Sequence, residues 1–393
     1  MKKQSHIEQL IHDLCPNGVE YTTLGALGTF ANTGVDKKIV PGEKSVTLLN
    51  FVDVFNHRYI DSSIPSMRVT ASDKKIVQCN VLKNDIFVTP SSETRDEIGR
   101  AAVVTEDLKD TVYSYHIMRY RLNSPNTISA RYIRYLFDSS IIQQQVEQNA
   151  QGLTRFGVSK FQFASFSIPF PPVPIQEEVV HILDSFDSLL GNINEEISVR
   201  QIQSTRAINR LLSDVNNEWE EKPIEEICEN CDKKRRPITA QFRKKGIYPY
   251  YGASGIVDYV ADYIYDGDYL LISEDGANLL ARHTPIAFSI SGKNWVNNHA
   301  HVLKFKQLCT QKFVEYYINS ISIEAFVSGG TQPKLNQASL KTIPIPFPPI
   351  AEQQRIVAQL DTVKALIANL DEERDLRQQQ FEHYREQLIS LLK

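Results

Sequence analysis

Few residues in this 393-residue chain are spaced for chemistry, and each set has a plain structural alternative. Cys228-x-x-Cys231 is the spacing of half a zinc site, but no second pair stands at zinc-ribbon distance, so two ordinary cysteines near a strand or turn fit better. His299-x-His301 alternates on an expected strand, which puts both imidazoles on one face with no acidic or cysteine companion close in sequence; a structural or contact role fits better than metal ligation. Ser291-Gly292-Lys293-Asn294 lacks the upstream glycine and the hydroxyl residue of a phosphate loop and reads as a hairpin turn. No dinucleotide fingerprint, metalloprotease helix or nucleophile elbow occurs. The chain reads as a non-enzyme with no cofactor and no metal of its own.

Residues suited to nucleic acid are better represented. The loop Gln151-Gly152-Leu153-Thr154-Arg155-Phe156 has its counterpart in the loop Gly329-Gly330-Thr331-Gln332-Pro333-Lys334, with Gly152 at the place of Gly329 and Thr154 at that of Thr331. Glycines permit close backbone approach, and Thr154, Arg155, Thr331, Gln332 and Lys334 are the side-chain types that contact phosphates and base edges. A turn joining helix to strand is the equal alternative. The run Lys233, Lys234, Arg235, Arg236 could clamp a phosphate backbone or be a solvated loop. Ser92 and Arg95 lie in a polar, loop-like stretch without strand alternation. Tyr248, Tyr250 and Tyr251 suit either a DNA-facing surface or a half-buried strand.

The elements that must position these residues come in duplicate. Ile168-Pro169-Phe170-Pro171-Pro172 returns as Ile345-Pro346-Phe347-Pro348-Pro349, 177 positions on, and the correspondence runs without a gap from Gly152/Gly329 to Leu211/Leu388. Upstream, Arg131–Ser139 is echoed by Lys312–Ser320 as a helix, His116–Arg121 by His301–Lys306 as a strand, and Asn84–Val88 by Gly267–Leu271 as a turn opening a buried strand. The prolines end each unit in an extended turn, and a helix starts just beyond.

Both of those helices carry heptad spacing. Val179, Leu183, Phe186, Leu190 and Ile193 lead the first seam; Ile356, Leu360, Val363, Ile367 and Leu370 lead the second, which continues through Phe381, Tyr384, Leu388 and Leu391. Arg200 and Arg377 take equivalent seam positions, where a polar residue can set register. About 40 residues make a rod of about 60 Å. One such helix per repeat favours antiparallel pairing. Ile7, Leu10, Ile11, Asp13 and Leu14 echo Ile208, Leu211, Leu212, Asp214 and Val215 with one residue of slip, which predicts neighbouring termini and a pseudo-twofold, nearly circular arrangement.

Composition sets the outer limits. With 42% hydrophobic and 23% charged residues the chain is ordinary for a globular protein, and its length suits two or three domains. A net charge of −4 neither demands nor excludes nucleic acid. No apolar run approaches a membrane span, the N-terminus does not read as a secretion signal, and five cysteines without framework spacing fit a reducing cytoplasm.

Taken together, the doubled Pro-Phe-Pro-Pro followed by Gln176/Glu177 or Gln353/Gln354 and a heptad helix, with Gly329–Leu335 and Tyr250-Tyr251-Gly252-Ala253-Ser254-Gly255-Ile256, resembles the specificity subunit of type I restriction–modification systems. The resemblance spans essentially the whole chain. It implies an α+β fold of two mixed target-recognition domains, 1–172 (with an N-terminal helix over 5–14) and 215–349, joined by spacer helices 173–214 and 350–393 that form an antiparallel coiled coil. It further implies a non-catalytic subunit reading the two halves of an asymmetric site on double-stranded DNA. The expected partners are two modification methyltransferase subunits carrying S-adenosylmethionine, and restriction (translocase/nuclease) subunits using ATP and Mg2+. Arg155-Phe156 departs from the Gln332-Pro333 of the other repeat, so loop contacts do not transfer between the two. A coiled-coil adaptor of another DNA-modification or defence complex is the alternative, and a free-standing DNA-modifying enzyme would need a cofactor or metal motif.

Overall fold

A strand that is apolar at every position must be covered on both faces, and the central strands of this protein are built that way. In the computed structural model, which describes residues 5–124, 126–213, 219–329 and 332–393, Ile86 and Val88 of strand Ile86–Val88 enter one core while Phe87 enters another. Its neighbour Ala101–Val104 divides likewise, Ala101 and Val103 to the first core, Ala102 and Val104 to the second. The chain is α+β, and its fold separates into two compact units, 1–192 with 374–393, and 193–373.

The first unit holds a five-stranded sheet in the order Gly28–Ala31, Met118–Leu122, Ile86–Val88, Ala101–Val104, Tyr59–Ile60. A four-stranded sheet, Met67–Ala71, Lys44–Leu49, Leu108–Tyr113, Asn80–Val81, covers the Phe87 face. Helices Ala130–Phe137, Ser140–Asn149 and Lys160–Ser165 cover the other, together with the first turns of a 41-residue helix, Val173–Ser213. The second unit repeats the plan. Strands Cys228–Asn230, Ala300–Phe305, Tyr269–Ser273 and Ala287–Ile290 form one sheet; Gly255–Val260, Lys245–Gly252, Lys293–Val296 and Tyr265–Asp266 form the other. Leu270 and Ile272 face helix Leu308–Ser320, and Tyr269 and Leu271 face the second sheet. In each unit the strand before the Pro-rich turn closes on an incoming strand: Ser167–Pro169 on Tyr21–Thr23, Pro344–Pro346 on Glu221–Pro223. These are two-stranded ladders, where proline is tolerated.

The expected duplicated helices and strands are present: Arg131–Ser139 and its echo fall on helices Ala130–Phe137 and Leu308–Ser320, and the paired strands on Met118–Leu122 and Ala300–Phe305. One turn differs. Gly292 takes a left-handed φ of 70°, but the strands it joins lie in different sheets, so 291–294 is a crossing and not a hairpin. Of the N-terminal echo, Asp214 and Val215 lie outside the described residues.

Each long helix is shared between the units. The second, Ile350–Ser390, gives its first part to the unit of 193–373 and its last turns to the other. In the first unit Phe186 stacks on Tyr384 at 5.3 Å and lies 6.3 Å from Phe381, so opposite ends of the two helices meet. Val179, Leu183, Leu190, Ile193, Ile356 and Leu360 are buried, and Phe186, Val363, Ile367 and Leu370 half-buried. Near the C-terminus the expected seam residues Phe381 and Leu388 are buried, but Leu391 is 40% exposed, and the buried Ile389 and Leu392 each stand one position beyond the expected Leu388 and Leu391. A 3.6-residue helix drifts against a strict 3.5 repeat, and this end packs into a globular core.

Candidate nucleic-acid interface

In the first unit the loop after helix Ser140–Asn149 is cinched by a pair of backbone bonds, Gln151 N to Gly157 O at 3.0 Å and Gly157 N to Gln151 O at 2.9 Å. Gly152 carries φ 140°, and a Cβ there would stand 1.9 Å from the Arg155 carbonyl oxygen; only glycine closes the turn. The closure holds Leu153, Thr154 and Arg155 out in solvent, Leu153 at 97% exposure.

Strand Phe156–Gly157 then pairs with Ser91–Ser92, so the stretch expected as a plain loop contains a short strand. That ladder brings together residues more than sixty positions apart. Arg155 donates from Nε to Ser91 Oγ at 3.2 Å, and the Arg95 guanidinium lies 4.8 Å over the Phe156 ring. Ser92 is buried and its hydroxyl donates to Glu97, so its side chain faces inward. Thr154, Arg155 and Arg95 share the exposed side.

The second unit closes its loop the same way. Ser328 N donates to Lys334 O at 2.9 Å and Lys334 N to Ser328 O at 2.7 Å, with Gly329 at φ 87°. Asp275 bridges to Lys334, as Ser91 pairs with Gly157 in the other unit. Gln332 and Lys334 are exposed, and Thr331 lies outside the described residues.

Behind this second loop sits a buried ionic network. Asp232 Oδ1 accepts from Val302 N at 2.7 Å, and Asp232 Oδ2 accepts from His301 Nδ1 at 2.6 Å. His301 Nε2 lies 2.8 Å from the Leu335 carbonyl oxygen, so both ring nitrogens are engaged. Arg235 reaches Glu274 at 2.6 Å and Asp232 at 3.2 Å, and Lys334 reaches Glu274 at 3.2 Å. Burial raises the cost of charge on both carboxylates, but the hydrogen bonds and charge of His301 on Asp232, and chiefly those of Arg235 on Glu274, hold both below the usual carboxylate range.

Asp232, Glu274 and His301 offer three ligand atoms within 4.8 Å of one another, a spacing a metal could use. Arg235 already bonds both carboxylates, so a cation would have to displace an internal ion pair; the donor set fits a structural network.

Of the basic run, Lys233, Lys234 and Arg236 are exposed, whereas Arg235 is turned into this network with 15% of its side chain accessible. The two histidines do not share an environment: His301 is fully buried, and His299 is half exposed and 2.9 Å from Asp275. Both acquire acidic partners distant in sequence, which a local reading of His299-x-His301 missed. Tyr250 is buried, its hydroxyl accepting from Ile238 N at 2.9 Å, while Tyr248 and Tyr251 are half-buried. Cys228 and Cys231 point their thiols at backbone carbonyls, and burial pushes Cys228 up to about 12.

Two α+β units of one plan, each clasping a polar loop by a pair of backbone bonds, define a duplicated fold without a catalytic constellation among the described residues. The same fold occurs in the S subunit of a type I restriction–modification system from M. genitalium (TM-score 0.52, 17% identity, 96% of each chain) and in a chain of another type I R-M system structure (TM-score 0.57, 16% identity, 96% of this chain and 98% of that one). The family model of the type I restriction modification DNA specificity domain matches twice, over residues 58–199 and 216–376, and the chain belongs to that family. A Haemophilus influenzae protein named as a type I restriction enzyme specificity subunit is 36% identical over 192 residues, 47% of this chain and 49% of that one. The EcoR124I/EcoR124II specificity subunit of Escherichia coli is 28% identical over 268 residues, 60% and 65% of the two chains. The matches thus span about half of the first relative's length and just under two thirds of the second's.

Proposed function

We propose that the chain is the sequence-reading subunit of a type I restriction–modification complex. Each unit reads one half of a bipartite, asymmetric site on double-stranded DNA, and the long helices fix the gap between the halves. The observation that carries this is the repeated loop closure: in each unit a two-bond backbone clasp beside a positive-φ glycine, 151/157 with Gly152 and 328/334 with Gly329, bridges to the segment that follows a central strand and leaves different polar side chains exposed. A common frame with different tips is what two reading heads for different bases require. Exposed Arg95, Arg155, Lys233, Lys234 and Arg236 supply charge for phosphate contacts.

A 41-residue helix is about 60 Å long. That length spans no more than ~18 base pairs at ~3.4 Å each, which suits half-sites one to two turns of duplex apart. Two methyltransferase subunits bearing S-adenosylmethionine dock on this scaffold, and restriction subunits using ATP and Mg2+ join through them. The subunit itself performs no chemical step and works in the cytoplasm; none of its helices, among the described residues, is long and apolar enough to cross a membrane.

Methylome sequencing of cells with and without this gene, in the presence of the methyltransferase partner, tests the reading. The expected result is one interrupted motif that vanishes on deletion. A methylation pattern that does not change, or a motif without a gap, overturns it.

A further inference from the structure

We propose that a tyrosine–cation–aspartate clamp, present once in each unit, fixes the angular seat of the reading head on its long helix and thereby decides how strictly the gap between half-sites is enforced; this rests on the two-half-site reading above. In the first unit the clamp centres on Asp184, in the fourth turn of the long helix. The Tyr135 hydroxyl lies 2.6 Å from its carboxylate, Arg131 donates to it at 3.0 Å, and Tyr59 donates to it as well. In the second unit Asp361 receives Lys312 at 2.8 Å and the Tyr316 hydroxyl at 2.6 Å. Arg131 and Lys312 hold the same place on corresponding helices, as do Tyr135 and Tyr316, and Asp184 and Asp361 stand at the repeat's 177-residue offset.

A second contact per unit lies eight residues earlier on each long helix. Gln176 is buried; it accepts from Ser129 N at 2.8 Å and donates to the Pro171 carbonyl at 2.7 Å. Gln353, also buried, accepts from the Thr310 hydroxyl at 2.7 Å and donates to the Pro348 carbonyl at 2.8 Å. Eight residues of helix separate the two contacts by about 12 Å and by about 80° around the axis. Apolar packing of Ile175, Val179 and Leu183, and of Ile356 and Leu360, holds helix and head together without direction. Two directional contacts that differ in both height and azimuth add a fixed angle to that packing.

The clamp's chemistry suits positioning better than bulk stability. Its ion pairs are partly solvated, Arg131–Asp184 at 51% and 26% side-chain exposure and Lys312–Asp361 at 37% and 39%, where pairs add little to folding. Hydrogen bonds to an ionised acceptor are nonetheless short and directional. Asp361 is held ionised: burial opposes the charge, but Lys312 and Tyr316 outweigh it and keep the carboxyl below its ordinary value. The heads read differently, yet the joint recurs with the same tyrosine, the same aspartate and a cation exchanged only for a cation.

The test uses the full chain with its methyltransferase partner and a duplex library in which both half-sites are constant and the gap varies. Wild type is expected to methylate one gap length. Tyr316→Phe, which deletes one oxygen atom, and Asp361→Asn are each expected to leave the half-site bases unchanged and to raise methylation at gaps one base pair longer or shorter by about tenfold. The exchange Lys312→Asp with Asp361→Lys is expected to restore a single gap. Thermal melting confirms that each variant folds; if Asp361→Asn does not, Tyr316→Phe and its counterpart Tyr135→Phe carry the test. Folded variants that keep one sharp gap overturn the clamp while leaving the two-half-site reading intact. A wild-type complex without any two-part motif overturns that reading and the clamp with it.

Discussion

Replacing Asp232 by asparagine removes the acceptor that His301, Val302 and Arg235 share. The amide keeps the volume and one acceptor oxygen but loses the charge. Arg235 and His301 are then left with Glu274 alone in a buried site, and breaking a buried ion pair from one side costs about 3–5 kcal/mol. For a unit of this size 1 kcal/mol moves the melting temperature by roughly 2–4 °C, so the second unit should melt roughly 6–20 °C lower than in the wild type. Scanning calorimetry at pH 7 measures this, and limited proteolysis assigns the early transition to residues of that unit. The pH dependence has a definite sign. Asp232 and Glu274 both titrate lower in the folded protein than in the unfolded chain, where values of about 3.9 and 4.3 apply. Folding therefore favours their ionised forms; the stabilisation is complete above those unfolded values and drains away as pH falls through the folded ones. Wild type should lose melting temperature steeply below about pH 4, and Asp232→Asn should lose less over the same interval. A variant that melts within about 1 °C of wild type would refute the network as the support of the 328–335 loop.

Three further outcomes follow from the same geometry. Inserting four residues into each long helix adds about 6 Å, so the preferred gap in selected sites should grow by one or two base pairs at ~3.4 Å each; altered bases inside a half-site would contradict the ruler. Gly152→Ala places a Cβ 1.9 Å from the Arg155 carbonyl at a φ that L-residues avoid. The strain should reach about 1–3 kcal/mol and blunt discrimination at one half-site, read by binding to base-substituted duplexes, with the other half-site unaffected. Cys228, pushed up to about 12 by burial and by the neighbouring Cys231, should resist alkylation by iodoacetamide at pH 8 in the folded protein and react on denaturation.

How far the sequence was legible depended on whether a feature was local. The doubled Pro-Phe-Pro-Pro and the heptads are patterns over adjacent turns, so the paired helices and the repeated strands could be read directly. Gly152 and Gly329 marked their loops because a left-handed residue is a local necessity. The network around His301 was invisible, since its carboxylates come from 69 and 27 positions away and only sheet pairing brings them in. Arg235 shows the same limit. Within Lys233-Lys234-Arg235-Arg236 nothing distinguishes it, yet it alone of the four turns inward, because Glu274 and the Ala300 carbonyl, 2.8 Å away, lie on that side. Leu391 fell off the expected seam for a geometric reason: a periodic pattern extrapolates a straight helix, and the globular core at that end selects Ile389 and Leu392 instead.

The division of the long helices between the units also fixes an order of assembly. Phe381, Leu388, Ile389 and Leu392 are part of the same core as Ile86 and Tyr132, and Glu386 accepts from Ser140 N across 246 residues of chain. The second unit is contained within one continuous stretch, 193–373, and can close as soon as that stretch has left the ribosome. The first unit is made first but finishes last, because its core stays open along one side until residues 381–392 arrive. Through most of synthesis it carries an unfilled apolar groove shaped for one helix, so a chain shortened by about 20 residues would release that groove into solution as an aggregation-prone surface.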